Sequence, residues 1–246
     1  MRIDRFLSEA GALSRREAGR AAKAGLIRVN GEAVRDLSRH IDPQKDEVRF
    51  RGEAVSLPGL TYLMLNKPAG VISSTDDPRE RTVLDLLPDV LRRPGLFPCG
   101  RLDKDTVGLL ILTDDGKSAH RLLSPRHHAE KEYRFETADP LGDTAAMEGG
   151  MTLADGTVTA PCRIVRTGER TGVITLTEGK YHEIRRMFGA AGNRITFLER
   201  ISFAGIRLDP SLGRGAVRTL TPEEIMLFTA PGGEKEETDD QTDDLE

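Results

Sequence analysis

Two short apolar runs constrain this chain most. Leu109-Leu-Ile-Leu112 follows Gly108 and ends at Asp114-Asp-Gly116, while Tyr62-Leu-Met-Leu-Asn66 ends at Lys67-Pro68. Apolar runs of this length, closed by turn residues, predict buried strands rather than helices. Gly172-Val-Ile-Thr-Leu-Thr177 alternates well enough to add another strand. The helical signals between them are brief. Thr82 can cap a short helix carrying Leu84 and Leu87, and His120-Arg-Leu-Leu123 suggests a second. Thr221-Pro-Glu-Glu224 opens a third, with Thr as N-cap, Pro at the first helical position and Glu at the third. Strands outnumber helices and are not spaced by long helices. The prediction is an α+β fold with a mainly antiparallel, mixed β-sheet flanked by helices.

The first fifty residues read as a separate module. Ile3, Phe6, Leu7 and Ala10 have the spacing of an amphipathic helix stopped by Gly11. Ser14-Arg-Arg-Glu17 is a capping box, so a second helix runs from about Arg15 to Ala24, with Gly25 as its stop. Arg16, Arg20 and Lys23 fall within a stripe of roughly 60° on that helix. Ile27-Arg-Val29 then meets Asn30-Gly31, a hairpin signal. Alone, such a stripe reads as a solvated face. Residues 1–40, however, hold nine basic and five acidic side chains, with the cations gathered on one helix. The predicted divisions are residues 1–50, a linker at 51–59 containing Pro58-Gly59, a large domain at 60–231, and a tail at 232–246.

The net charge of −4 hides an asymmetry. Residues 234–246 hold eight acidic side chains and one Lys, so the body without them carries +3. That polar, aperiodic tail is expected to be disordered. A mildly basic body is compatible with nucleic acid. No apolar run is long enough to span a bilayer, and Met1-Arg-Ile-Asp-Arg-Phe6 lacks the apolar core of a signal peptide. Cys99 and Cys162 form neither a disulfide framework nor a zinc cluster, so a reducing cytoplasm is expected.

Gly100-Arg-Leu-Asp-Lys-Asp-Thr-Val-Gly108 carries the chemistry. In isolation, Asp103 between Arg101 and Lys104 reads as a solvated ion pair. Yet glycines bracket the segment, a buried strand follows, and the two cations would keep the carboxylate ionised. A carboxylate so held can serve as nucleophile or base. Asp103 and Asp105 could also suggest a glycosidase pair, since alternate residues of an extended chain point the same way about 7 Å apart. The surrounding cations disfavour a neutral sugar. Further on, Ile184, Met187, Phe188 and Ala191 form an apolar stripe of helical period. Arg185 falls roughly 110° from its centre and Arg186 roughly 150°, the first at the core's margin and the second toward solvent or phosphate. His120, His127 and His128 lack neighbours with metal-ligand spacing. In Ser124-Pro-Arg-His-His128 they are expected to line an RNA groove. No phosphate-binding Gly-rich loop is present.

Two resemblances extend these readings. Arg2-Ile-Asp4, Gly11-Ala-Leu-Ser-Arg-Arg-Glu-Ala18 and Val29-Asn-Gly31 resemble the S4 RNA-binding module over most of residues 1–48. Lys67-Pro-Ala-Gly70, Gly100-Arg-Leu-Asp103, Thr113-Asp-Asp-Gly116, Glu130-Lys-Glu-Tyr133 and Gly179-Lys-Tyr-His-Glu-Ile-Arg-Arg-Met187 resemble, in order, the catalytic domain of RsuA-type pseudouridine synthases. That resemblance implies an enzyme that isomerises a uridine of rRNA without cofactor or metal. It makes Asp103 the nucleophile, Tyr133 the ring against the target base and a candidate proton acceptor, and Arg185 the partner of Asp103. RNA contacts are expected from Arg2, Arg15, Arg16, Arg20, Lys23, Lys67, Arg101, Lys131 and Arg186. The wording of Ser73-Ser-Thr-Asp-Asp-Pro78 and of the segments at 113–116 and 124–128 resembles the 16S rRNA branch, with a uridine-516-type target. The expected partner is 16S rRNA, naked or in a partly assembled small subunit, bound by a monomer. The alternatives are a 23S rRNA enzyme of the same family and a non-catalytic S4-type RNA-binding or ribosome-assembly protein.

Overall fold

A computed structural model describes residues 1–43, 45–57, 59–124 and 127–230. The acidic tail and its expected disorder lie outside the described residues. So do Pro58 of the expected linker and Pro125 and Arg126 of the histidine-bearing segment. The chain forms two compact units, one comprising Met1–Leu60 and the other beginning at Thr61.

In the first unit, α1 (Ile3–Glu9) and α2 (Arg15–Lys23) pack on a four-stranded antiparallel sheet of β1 (Ile27–Val29), β2 (Glu32–Ala33), β3 (Val48–Phe50) and β4 (Glu53–Val55), in the order β2-β1-β3-β4. The Ser14 hydroxyl accepts from the Glu17 amide at 3.3 Å, and the Ser14 amide donates to the Glu17 carboxylate at 2.9 Å, which completes the predicted capping box. Ala18, Ala21 and Ala22 are the buried face of α2 and pack with Ile3, Phe6 and Leu7 of α1. The opposite face carries Arg16, Arg20 and Lys23, all exposed, with Arg15 beside them. Asn30 and Gly31 both take positive φ, 51° and 85°, which a two-residue turn between Val29 and Glu32 demands.

The second unit is built on a nine-stranded sheet within the described residues. Its strands are β5 (Tyr62–Lys67), β6 (Phe97–Cys99), β7 (Val107–Thr113), β8 (Lys131–Thr137), β9 (Arg163–Arg166), β10 (Thr171–Leu176), β11 (Ile195–Phe203), β12 (Ile206–Arg207) and β13 (Val217–Thr219). The main path runs β13-β5-β7-β11-β8-β10-β9, with β6 also on β7 and β12 on β11. Every pairing is antiparallel except β7 with β11, where Val107 faces Glu199 and Gly108 faces Arg200. The helices are α3 (Gly116–Leu123), α4 (Ala145–Glu148), α5 (Glu183–Ala190) and α6 (Pro222–Thr229).

The two apolar runs that opened the sequence are buried throughout because each feeds two cores. Leu63, Leu65, Leu110 and Leu112 point to the face shared with Ile184, Met187 and Phe188 of α5. Met64, Leu109 and Ile111 point to the other, shared with Ala119 and Leu122 of α3 and Phe228 of α6. A strand covered on both faces has no polar side, hence a continuous apolar run. Gly108 is required by close approach: at φ 100° a Cβ would lie 2.3 Å from the Arg200 carbonyl oxygen across the parallel junction. Thr82 caps the expected short helix, a 3₁₀ helix over Val83–Leu86 closed by Thr82 and Asp85, with Leu87 just past its end. One expectation is corrected. Ala191 ends α5 as an exposed C-cap, so the apolar stripe stops at Phe188.

Candidate active site

The segment from Arg101 to Thr106 leaves β6 and enters β7 across the mouth of a solvent-open cleft of about 470 Å³. Asp103 and Thr106 line it from this segment, Tyr133 from β8, Leu198 from β11, and Glu183 and Arg185 from α5. Three of the predicted groups therefore share one cavity. Arg185 Nε stands 3.8 Å from one Asp103 carboxylate oxygen, and His182 Nε2 stands 3.4 Å from the other. The shorter bond of Arg185 goes to Asp105, at 2.9 Å. Arg185 thus bridges both carboxylates of the segment, a role for Asp105 that an isolated look at its spacing does not reveal. Tyr133 is buried in the sheet between β10 and β11, opposite Ile174 and Arg200, and lines the cleft from there.

The backbone carrying Asp103 is held from below. Lys67 has no exposed surface, and its ammonium donates to the carbonyls of Thr106 (2.9 Å), Asp103 (3.0 Å), Pro68 (3.2 Å) and Lys104 (3.3 Å). Burial pushes its pKa down from 10.5 to about 8, against the pull of the Asp105 and Asp103 carboxylates. Ser73 adds a second tie, donating to the Leu102 carbonyl at 2.8 Å and accepting from the Leu102 amide at 3.0 Å. The Gly70 amide donates to the Lys104 carbonyl at 2.8 Å. The loop is a fixed mount, assembled by residues about thirty positions away in sequence.

Several expectations change with this geometry. Lys67 is a structural clamp, closed to phosphate. Lys104 pairs with Glu80 at 2.7 Å, and Arg101 makes no ion pair among the described residues, so Arg185 is the cation against Asp103, with the His182 imidazole beside it. Arg186 is committed to Asp155, with a further bond to the Tyr181 carbonyl at 3.1 Å. Lys131 is half-buried, donates to the Ala129 carbonyl at 2.9 Å and is lowered in pKa chiefly by that burial. Arg2 is exposed but pairs with Asp4 at 2.8 Å. Arg15, Arg16, Arg20 and Lys23 remain exposed on α2, and Arg101 is exposed at the rim of the cleft.

Glu178 and Glu183 also stand at the cleft, with nothing in the local sequence to mark them as part of it. Glu183 is buried at the start of α5, and burial together with its neighbour Glu178 raises its carboxyl to about 7. Glu178 opposes its own desolvation with bonds to Glu183, Lys180 and the Ala160 amide, and stays ionised. An acidic residue two places before Arg185 is visible in the motif at 179–187. Its burial depends on the sheet beneath α5 and has no local signal.

A carboxylate fixed among cations in a cleft, beside a buried aromatic ring, defines a site for a polar planar substrate part. The comparisons give that class its identity. The RNA pseudouridylate synthase family matches residues 61–190, and the S4 domain matches residues 1–48. An uncharacterized RNA pseudouridine synthase of Bacillus subtilis (strain 168), YtzG, is 41% identical over 94% of this chain and 99% of its own. Ribosomal small subunit pseudouridine synthase A of Yersinia pestis is 39% identical, over 94% of this chain and 99% of its own. The protein of the same name in Escherichia coli (strain K12) is 38% identical, over 92% and 98%. A pseudouridylate synthase crystal structure superposes with a TM-score of 0.66 at 36% identity, covering 93% of this chain and 99% of that one. The chain belongs to the RNA pseudouridylate synthases, in the RsuA-type branch that joins an S4 domain to the synthase domain.

Proposed function

We propose that this protein converts one specific uridine of 16S rRNA to pseudouridine, acting as a cytoplasmic monomer without a cofactor. The observation that carries the proposal is the convergence of Asp103, Tyr133 and Arg185 on one cleft, with Asp103 mounted on a clamped loop. The reaction breaks the N1–C1′ bond, turns the uracil and forms a C5–C1′ bond. The C5 proton leaves and N1 gains one, so atoms balance without oxidant or water. Asp103 supplies the electron pair, by attack on C1′ or C6 or by removal of a ribose proton. Tyr133 stacks on the uracil and takes part in removal of the C5 proton. Arg185 aims Asp103 and is shared with Asp105.

The uridine must leave its stack to reach Asp103, at a cost on the order of a few kcal/mol. Arg101, exposed at the rim and without an ion pair among the described residues, has the planar guanidinium suited to fill the vacated space. Phosphate contacts from Arg15, Arg16, Arg20 and Lys23 offset the flipping cost. The small-subunit target is supported by the names of the Yersinia and Escherichia relatives and by the motif wording above. Tritium release from C5-labelled uridine in 16S and 23S rRNA fragments, and in partly assembled small subunits, tests the reading. Release from 16S that disappears in Asp103→Asn is expected. Release from 23S alone refutes the target, and no release from any substrate, with tight binding kept, refutes the enzyme.

A further inference from the structure

The turn leading into α5 presents an aromatic surface that the reaction above does not use. His182 has φ 48° and ψ 34°, a left-handed conformation uncommon for a residue with a Cβ and recurrent at functional sites. That conformation sets the imidazole beside Asp103 and also against the Tyr181 ring, with centroids 3.9 Å apart and planes at 17°. His182 covers one face of Tyr181, yet Tyr181 remains 76% exposed and belongs to neither core of the synthase unit. Its backbone is fixed, since Arg186 donates to the Tyr181 carbonyl and the Lys180 amide donates to Glu183 at 2.8 Å. Both sequence neighbours, Lys180 and His182, line the cleft. An aromatic plane is thus held open to solvent at the rim of the cavity that holds the nucleophile.

We infer that Tyr181 is a stacking platform for a nucleobase adjacent to the target uridine, a substrate-positioning role that rests on the isomerase reading above. When a base is turned out of its stack, each neighbour loses a partner, and an exposed ring at the cleft mouth replaces one of them. Every base has a π-face, so the platform itself reads position rather than sequence. The imidazole touches both Tyr181 and Asp103. Docking of the neighbouring base therefore also steadies the ring that stands against the nucleophile.

The test uses 16S rRNA fragments carrying the target uridine, with 2-aminopurine placed on either side of it in turn. Wild-type protein and Tyr181→Phe are expected to quench one of the two labelled fragments on binding. Tyr181→Ala is expected to lose that quenching and to fall about tenfold or more in kcat/KM for tritium release. The exposed ring can be removed without unfolding the chain, which a thermal melt verifies. Unchanged quenching or unchanged kcat/KM in Tyr181→Ala overturns the proposal. So does a Tyr181→Phe protein that behaves like the Ala variant, because then the hydroxyl matters and the plane does not. Quenching needs no turnover, so the two readings fail separately. Tyr181-dependent quenching without tritium release refutes the isomerase and supports the platform, whereas release without Tyr181-dependent quenching refutes the platform alone.

Discussion

Replacing Lys67 by Met tests the clamp beneath Asp103. Methionine is close in length and keeps the site filled, but it removes the ammonium that bridges four carbonyls. A hydrogen bond to a charged group is worth about 1.5–3 kcal/mol. The two shortest, to Thr106 and Asp103, therefore put roughly 3–6 kcal/mol at stake. Against this stands the cost of keeping the ammonium buried, about 3 kcal/mol for a displacement from 10.5 to about 8. The net loss of stability should be small, on the order of 0–3 kcal/mol. Activity should suffer more. With the Asp103 carbonyl released, misplacement of the carboxylate by an ångström costs about a hundredfold in rate. We expect kcat for tritium release to fall by about that factor, with KM for RNA little changed, because Lys67 is closed to the ligand. Urea unfolding supplies a second readout. The folded pKa lies below the unfolded one, so unfolding takes up a proton between about 8 and 10.5. Wild-type stability should therefore rise with pH across that window relative to Lys67→Met. A folded Lys67→Met protein with wild-type kcat, or two proteins with parallel stability profiles from pH 8 to 10.5, would refute the clamp.

Gly108→Ala should cost at least about 3 kcal/mol, because the new Cβ meets the Arg200 carbonyl at 2.3 Å; a wild-type melting temperature would contradict this. Combined Arg16→Ala, Arg20→Ala and Lys23→Ala should lower the salt slope of RNA binding by about three, whereas Arg186→Ala, already engaged by Asp155, should leave the slope unchanged. Glu183 has a folded pKa above its unfolded one, so it stabilises the fold below pH 4.5 and that contribution is lost as pH rises through about 7. Glu183→Gln should flatten that part of the melting-temperature profile, and an unaltered profile would count against a buried, protonated Glu183. Ser14→Ala should lower the stability of the first unit by about 1 kcal/mol, read by thermal unfolding.

What the sequence made legible was local. The capping box at Ser14, the N-cap at Thr221, the Asn30-Gly31 turn and the short apolar strands each depend on residues within a few positions, and each is present. The grouping of Asp103, Tyr133 and Arg185 was legible only through the order of the motifs, since no periodicity links residues so far apart. The cations show where local reading stops. Lys67, Lys131 and Arg186 carry the same charges as Arg16 and Lys23, and nothing nearby separates a cation facing solvent from one facing a buried carbonyl. The partners that decide it for Lys67 lie 36 to 39 residues away. The same limit hid Asp105 behind Arg185 and His182 behind Asp103.

The parallel junction of β7 and β11 has a consequence for how such a protein can change. The sheet consists of two antiparallel halves, built on β13-β5-β7 and β11-β8-β10-β9, whose strand ladders join at two residue pairs among the described residues, with Arg200 donating to the Leu109 carbonyl across the join. Asp103 precedes the strand on one side of that seam, while Tyr133 and Leu198 lie on the other. The cleft is thus a property of the join, and neither half owns a complete site. Loops at the rim can diverge while the carboxylate, the ring and the guanidinium keep their places. Drift at the seam has no such freedom, because a change there that uncouples the halves dismantles the fold and the reaction together.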